Sequence, residues 1–276
     1  MQRRDVLKGV YAAILAAGAG RVSSAKADLA EARSRGKVIV STTGNLPPCT
    51  FINDQNVLDG YDIAVAHAVE KSIGIPFDFQ IVAAGGMLPG LQTGRFDVVV
   101  SNINALPERG SVFDWSVAYS RSAVVAVARA AATDIGGFKD LKGKVVGAIN
   151  GAADGEQAAR SIAEKYGAFK ELRVYSGFNE LFQDMAIGRI EAAVTPENAA
   201  AYFNKRRPGI VRLTQPPFIV RPVAAHFHKG EPQLRAAFDE PILALRKSGK
   251  LDEWAEQYFG IKDYVSGIPE TPPNAG

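Results

Sequence analysis

The sequence predicts an α/β protein of two similar lobes, because two of its segments each recur once. Residues 94–101 (GRFDVVVS) return in weaker form as residues 188–195 (GRIEAAVT), and residues 37–44 (KVIVSTTG) are echoed by residues 144–151 (KVVGAING). The first pair is typical of a helix that ends at a glycine before an apolar strand, and the second of a strand that turns at a glycine before a helix. In such sheets ligands bind beyond the carboxyl ends of the strands, so functional residues are expected there.

The other elements follow from hydrophobic periodicity and from helix start and stop signals. In chain order they are a helix over 28–36, a strand from residue 37, a hairpin over 53–59, a helix over 63–73, a strand over 77–82, a helix over 87–92, a strand over 96–101, and closing helices over 231–248 and 251–259. Two further apolar runs, 123–128 and 218–227, are predicted to be the crossovers between the lobes.

These elements divide the chain into lobes with flanking segments. Lobe one is predicted over 28–126 and 223–262, and lobe two over 127–222. A leader covers residues 1–27, and residues 263–276 are predicted to be a loose tail because they are rich in proline and poor in apolar side chains.

The charge balance argues against a nucleic-acid partner or an anionic membrane surface. The whole chain of 276 residues has a formal net charge of +3, but the leader contains five basic groups and one acid. The rest carries 27 basic and 28 acidic groups, so no basic surface is expected there. The 47% hydrophobic content is ample for a buried core.

The leader has the parts of a secretory signal in order. An arginine pair at positions 3 and 4 precedes an apolar run over 9–20, and the small-residue cleavage pattern Ala-Lys-Ala follows at 25–27. The pair is typical of a twin-arginine signal, with the general export route as the alternative. The apolar run is too short to span a bilayer. We therefore expect a periplasmic protein, and one without an internal disulfide because Cys49 is the only cysteine.

An ordered set of motifs carries a family resemblance. The motifs are Gly-Tyr-Asp at 60–62, LPGLQTGRFD at 88–97, Pro-Glu-Arg at 107–109, Asp-Trp-Ser at 114–116 with Tyr119, DLKGKVVG at 140–147 and WAEQYFG at 254–260. From about residue 37 to residue 260 the chain resembles the extracellular solute-binding proteins of polar amino-acid ABC transporters, bacterial solute-binding family 3. The resemblance implies the two-lobed periplasmic-binding-protein fold, type II-like, with two interlobe crossovers. It also implies a monomer that carries a small-molecule carboxylate to an inner-membrane ABC permease and uses no cofactor.

Arg109 is the strongest candidate site residue. In the resembled family, the arginine of the Pro-Glu-Arg motif clamps the α-carboxylate of the ligand, a role that suits the planar guanidinium group. The alternative is a surface arginine paired with Glu108 or Asp114.

Three further candidates follow the predicted strand over 96–101. Ser101, Asn102 and Asn104 lie where short polar side chains and backbone N–H groups can converge on a small anion. The alternative is ordinary turn chemistry. The resembled family usually has hydroxyl side chains here, so two asparagines are a departure that brings donors as well as acceptors.

The corresponding loop of lobe two contains Ala152, Ala153 and Asp154. Free N–H groups at the start of the following helix suit a carboxylate. The resembled family has a hydroxyl residue where Ala153 stands, so only backbone donation is expected there. Asp154 is equally suited to capping the helix.

Other departures from the family bear on the ligand. Thr43 stands where the family often has an acid, and Pro196 where lobe two usually supplies the aspartate for the α-ammonium, with Glu197 displaced by one residue. Leu46 replaces an aromatic residue, as do Cys49 and Ala84. A buried ammonium without a carboxylate is costly, so we expect ordinary α-amino acids to bind weakly.

The sequence predicts no catalytic residue and no metal site. It lacks the usual hydrolase, zinc-protease and phosphate-loop motifs. His226 with His228 lacks a third metal ligand, and Cys49 with His67 lacks an orienting residue. The runner-up is a periplasmic dehydratase of the cyclohexadienyl type on the same fold, with Glu156 or Glu197 as acid or base. A ligand-sensing or accessory binding protein is the third alternative.

Overall fold

The computed structural model describes residues 29–150, 153–269 and 272. The predicted leader over 1–27 and the candidate Ala152 lie outside the described residues. Fourteen strands and eight α-helices are described in this part of the chain. No described helix has both the length and the apolar character needed to cross a membrane.

The strands are β1 (Val38–Thr42), β2 (Asn45–Leu46), β3 (Thr50–Ile52), β4 (Leu58–Asp59), β5 (Phe77–Ile81), β6 (Val98–Val99), β7 (Phe113–Trp115), β8 (Ser120–Arg129), β9 (Val145–Ile149), β10 (Glu171–Tyr175), β11 (Ala192–Pro196), β12 (Val211–Leu213), β13 (Ile219–Val223) and β14 (His226–His228). The α-helices are α1 (Leu29–Arg35), α2 (Tyr61–Ile73), α3 (Ala84–Gln92), α4 (Ala158–Tyr166), α5 (Phe178–Ala186), α6 (Glu197–Arg206), α7 (Pro232–Lys247) and α8 (Lys250–Tyr258). Shorter helical turns cover Pro107–Arg109, Phe138–Leu141 and Ala153–Gln157.

Two main sheets form the centres of two α/β lobes, as the sequence predicts. The first has the strand order β5-β1-β6-β14-β7, and the second β10-β9-β11-β8-β12 with β13 also paired to β8. Strands β5, β1 and β6 are parallel, as are β10, β9 and β11. The carboxyl ends of β1 and β6 therefore meet at one edge, and those of β9 and β11 at the corresponding edge of the second sheet.

The repeated Gly-Arg-Phe-Asp and Gly-Arg-Ile-Glu segments have the same structural role in the two lobes. In lobe one the Asp97 carboxylate accepts the backbone N–H of Ile39 at 2.7 Å, and in lobe two the Glu191 carboxylate accepts that of Val145 at 3.0 Å. In each case the acid connects the strand that follows it to the first parallel strand of its lobe. The repeat thus reflects a requirement for sheet assembly.

The chain crosses between the sheets at positions that partly differ from the prediction. Strand β7 belongs to the first sheet and β8 to the second over its whole length, so the outward connection covers residues 116–119. The predicted boundary after residue 126 falls inside β8 and is wrong, because an apolar run does not reveal which sheet it joins. The return connection is residues 224–225, between β13 and β14.

The described part of the predicted loose tail is packed against lobe one. Tyr264, Val265 and Ile268 are at most 5% exposed. The Tyr264 ring lies 5.0 Å from the Phe259 ring and 6.0 Å from the Tyr61 ring, measured between centroids. The prediction was wrong here because a few well-placed apolar side chains are enough to anchor a proline-rich segment.

Replacing Gly60 should strongly destabilise the fold, because a β-carbon at this position would lie 2.2 Å from the carbonyl oxygen of Cys49. Its φ of +128° is also unfavourable for other residues. We expect Gly60→Ala to lower the free energy of unfolding by about 2–5 kcal/mol, from strain and overpacking together. Urea unfolding of the mature chain measures this.

Gly74→Ala is the matched control. Gly74 also has a positive φ, of +70°, but a β-carbon there would meet no atom within 4 Å. The Gly74→Ala substitution should lower the free energy of unfolding by about 1–2 kcal/mol, from backbone strain alone. Equal losses in the two variants would contradict the proposed clash.

Candidate ligand-binding site

The ends of β1 and β6 bring Thr43 and Ser101 together. The backbone N–H of Thr43 donates to Ser101 Oγ at 3.2 Å, and the two hydroxyl oxygens are also 3.2 Å apart. The Thr43 hydroxyl contacts that of Thr50 at 2.7 Å. Thr43, Thr50 and Ser101 are all buried, so this hydroxyl network supports the loop that follows Ser101.

Asn102 turns this loop through a backbone conformation with a positive φ of 49°. Its N–H donates to the carboxylate of Asp62, which also accepts the Tyr119 hydroxyl at 3.2 Å. Asp62 is fully buried, and burial raises its pKa to about 7 despite these bonds. In the sequence Asp62 is evident only as part of the Gly-Tyr-Asp motif, and nothing local in the chain indicates that its side chain holds the loop that follows Ser101.

Arg109 and Asn104 lie next to each other. Arg109 is half-buried on the short helical turn Pro107–Arg109, and its Nη1 donates to the Asn104 carbonyl at 3.3 Å. No carboxylate among the described residues is paired with it. The alternative partner Asp114 instead pairs with Lys229 at 3.0 Å. Arg109 is therefore not engaged in the surface ion pair that sequence analysis left open.

Asp154 connects the two lobes. It lies in the helical turn Ala153–Gln157 of lobe two, and its Oδ2 accepts a hydrogen bond from Asn104 Nδ2 of lobe one at 3.2 Å. The same oxygen accepts the Ser122 hydroxyl at 2.5 Å, and Oδ1 is in an ion pair with Arg221. The Asp154 side chain is 13% exposed, so its charge is balanced mainly by protein groups.

Glu197 is the first residue of α6 and is buried. Its carboxylate lies 2.8 Å from Nη2 of Arg121, on β8. The next residue, Asn198, donates from its amide to Cys49 Sγ of lobe one at 3.2 Å, so the start of α6 lies at the interface between the lobes. Leu46 is not part of this polar set, since it packs against the core of lobe one.

Arg121 and Arg221, which were not among the residues predicted from the sequence, reach the two lobe-two acids from a pair of antiparallel strands. In the β8–β13 register Ser122 is opposite Arg221, and Arg121 is opposite Pro222. Directly opposed side chains lie on the same face of a sheet, so Ser122 and Arg221 share one face and Arg121 lies on the other. The available signal was an arginine near or within each predicted crossover, since Arg121 lies two residues before 123–128 and Arg221 lies within 218–227.

In the part of the chain that the structure describes, the histidine and cysteine candidates contact other protein groups. His67 Nδ1 contacts Glu70 at 2.7 Å, whereas Cys49 contacts Asn198. His226 is buried against Trp115, and burial lowers its pKa to about 4. The described residues contain no cluster of three or more His, Cys, Asp or Glu side chains suited to a metal ion.

Two α/β lobes joined by two connections, with polar strand ends on both sides of the interface, define the class of two-lobed binding proteins. The chain belongs to the bacterial extracellular solute-binding proteins, family 3, which match residues 38–261. This confirms the resemblance and the fold predicted from the sequence.

Similar proteins are binding proteins of the same kind. The L-cystine-binding protein TcyJ of Escherichia coli K12 is 29% identical over 259 residues, which cover 93% of this chain and 96% of the relative. A solved ancestral cationic amino-acid solute-binding protein is 30% identical, with a TM-score of 0.75 and coverage of 84% of this chain and 99% of its own. The unliganded, open L-cystine solute receptor of Neisseria gonorrhoeae is 28% identical, with a TM-score of 0.71 and coverage of 87% and 99%.

The raised pKa of Asp62 should make the free energy of unfolding depend on pH. Because its pKa is raised from 3.8 to about 7, the folded chain holds a proton between these values that the unfolded chain releases. Its contribution to the free energy of unfolding is therefore fully present below about pH 4 and is lost as the pH rises through 7. Relative to the wild type, Asp62→Asn should gain up to about 4 kcal/mol between pH 4 and 7.

Urea unfolding of both proteins across this range measures the difference. His226, with a pKa lowered to about 4, acts in the opposite direction between pH 4 and 6.5, but it does so in both proteins. Its contribution cancels when one profile is subtracted from the other. Parallel profiles would contradict the assignment of this pH dependence to Asp62.

Proposed function

We propose that this chain is a periplasmic, monomeric solute-binding protein that captures a small polar carboxylate and delivers it to an inner-membrane ABC permease. The observation that carries this proposal is the position of Arg109. Its guanidinium lies beside the loop that follows Ser101 and donates a single hydrogen bond, to the backbone carbonyl of Asn104. Among the described residues it has no carboxylate partner. A planar guanidinium in this situation suits bidentate binding of a ligand carboxylate.

The rest of the proposed site supports this function. The predicted residues Ser101, Asn102 and Asn104 lie at the end of β6 in lobe one, and Asp154 comes from lobe two. The amide of Asn104 bonds to Asp154 at 3.2 Å, so the two lobes contact each other within the proposed site. Since a ligand between lobes is fully buried only when both supply walls, this arrangement suits capture by closure.

The relatives bind amino acids according to their names, L-cystine for TcyJ and cationic amino acids for the ancestral protein. These ligands share an α-carboxylate, which is the group proposed for Arg109. They also carry an α-ammonium, for which this chain has Pro196 in the usual position of the acid. We therefore propose an amino acid or a related organic acid, with the carboxylate as the common recognised group.

The periplasmic location is proposed from the leader over 1–27 together with the family, whose description is extracellular. The leader's small-residue cleavage pattern at 25–27 directly precedes the first described helix, α1 (Leu29–Arg35). A mature chain that begins near residue 28 would therefore retain every element of both lobes.

Removing the Arg109 guanidinium should abolish tight binding. Losing one partner of a buried charged pair costs about 2–5 kcal/mol, so Arg109→Ala should weaken binding of the identified carboxylate about 30-fold or more. Calorimetric titration with a panel of amino acids and non-amino carboxylates identifies the ligand and measures the change. Arg189→Ala is the matched control, because Arg189 is 65% exposed and pairs with Asp184 on the surface of lobe two. Unchanged binding in Arg109→Ala would refute the site assignment.

A carrier should release its ligand chemically unchanged, whereas a dehydratase should convert a hydroxylated cyclic acid. One similar solved protein, 29% identical, is described as an ancestral amino-acid-binding protein and a precursor of cyclohexadienyl dehydratase. In this chain both acids considered for such chemistry are in ion pairs, Glu156 with Arg160 at 2.6 Å and Glu197 with Arg121 at 2.8 Å. Mass spectrometry of the released compound checks this expectation. A converted compound, with conversion lost in Glu156→Gln or Glu197→Gln, would establish the enzyme instead.

A further inference from the structure

Both lobe-two acids of the candidate site are already paired with arginines from the strands that join the lobes. Asp154 pairs with Arg221 of β13, and Glu197 pairs with Arg121 of β8. The four side chains are at most 24% exposed, so the ion pairs are largely shielded from water. An acid in such a pair is not available to a ligand ammonium unless the pair is broken, which is costly in a buried setting.

The Asp154 carboxylate has little capacity left for another partner. Its Oδ1 is bound by Arg221, and its Oδ2 accepts from both Ser122 and Asn104. These three groups come from β13, from β8 and from the loop of lobe one. A ligand ammonium would have to displace at least one of them.

Among the described residues around the site, the charges then leave one cation, Arg109, without a counter-charge. The Arg121–Glu197 and Arg221–Asp154 pairs are each neutral, whereas Arg109 has no acidic partner among the described residues. Asp62 lies beneath the Asn102 loop, and burial raises its pKa to about 7, towards the neutral form. A closed, poorly solvated cleft favours a ligand whose charge balances its own.

We propose, on the basis of the proposed function, that Arg221 makes this cleft selective for ligands of net charge −1 over zwitterionic amino acids. Suitable ligands are 2-hydroxy acids or other monocarboxylates without an ammonium group. Arg221 is a positioning residue in this scheme, since it acts by occupying Asp154. Arg109 is the group that contacts the ligand carboxylate.

The test compares pairs of ligands that share a side chain and differ only in an ammonium or hydroxyl group at the α-carbon, such as alanine with lactate and leucine with 2-hydroxyisocaproate. Calorimetry gives the ratio of the two dissociation constants for each pair. The wild type should bind the hydroxy acid at least tenfold more tightly. Arg221→Gln frees Asp154 for an ammonium, so it should reduce this ratio at least tenfold, while Arg221→Lys should retain it.

Arg160→Gln is the control for charge alone. Arg160 lies on α4, its side chain is 64% exposed, and it pairs with Glu156 at 2.6 Å. The Arg160→Gln substitution removes one positive charge from the helix that follows Asp154 but leaves the Arg221–Asp154 pair in place. The ratio of dissociation constants should therefore be unchanged. An equal effect in Arg160→Gln and Arg221→Gln would overturn the proposal.

Asp154→Asn provides a second, independent measurement, which also serves if Arg221→Gln does not fold. It leaves Arg221 without its acid, so it should shift preference towards dicarboxylates such as malate over lactate at least tenfold. A purely structural role would lower both affinities by the same factor, and that result would overturn the proposal. A wild type that binds alanine as tightly as lactate would also overturn it while leaving carboxylate capture by Arg109 intact. If no carboxylate binds, the proposed function itself fails.

Discussion

The antiparallel pairing of β8 with β13 is the constraint on which the rest of the molecule depends. These strands pair from Ile219 opposite Val124 to Val223 opposite Ser120, and their ends lead directly into the two connections to lobe one. Because register sets which side chains share a face, this single pairing puts Ser122 beside Arg221 and Arg121 on the opposite face. Any relative movement of the lobes must act through this two-stranded joint.

The joint is supported from lobe one by buried tyrosines. The hydroxyl of Tyr264 donates to the carbonyl of Arg121 and accepts from the Ser120 hydroxyl at 3.2 Å. Tyr61 donates to the carbonyl of Tyr119, directly before β8, at 2.7 Å. A buried backbone carbonyl requires a donor, and these side chains supply it where the chain leaves its sheet. The segment after α8 is thus part of the support for the joint, which explains why it is packed.

Electrostatic balance at the interface follows from the same geometry. Burying a carboxylate without a partner is strongly unfavourable, so Asp154 and Glu197 are tolerated at the interface because arginines from the joint reach them. The pairs stabilise the acids in the folded chain. In the proposed scheme, the Arg221–Asp154 pair also sets the charge that remains for a ligand. Arg109 contrasts with them, because its nearest hydrogen-bond partner is the neutral Asn104 carbonyl.

The sequence by itself determined the two similar α/β lobes and most strand ends, and it singled out Arg109 as the proposed anchor. The two repeated segments, the glycines that follow helices and the short polar runs after strands are signals within a few neighbouring residues, and they predicted the strands that end near Thr43 and Ser101. Only the tertiary structure decided that Asp154 and Glu197 are paired, that Asp62 supports the Asn102 loop, that β8 lies wholly in the second sheet and that Tyr264 is buried. Each of these depends on contacts between residues far apart in the chain, such as Ser122 with Arg221. Hydrophobic periodicity is a local property and carries no information on the register that creates such contacts.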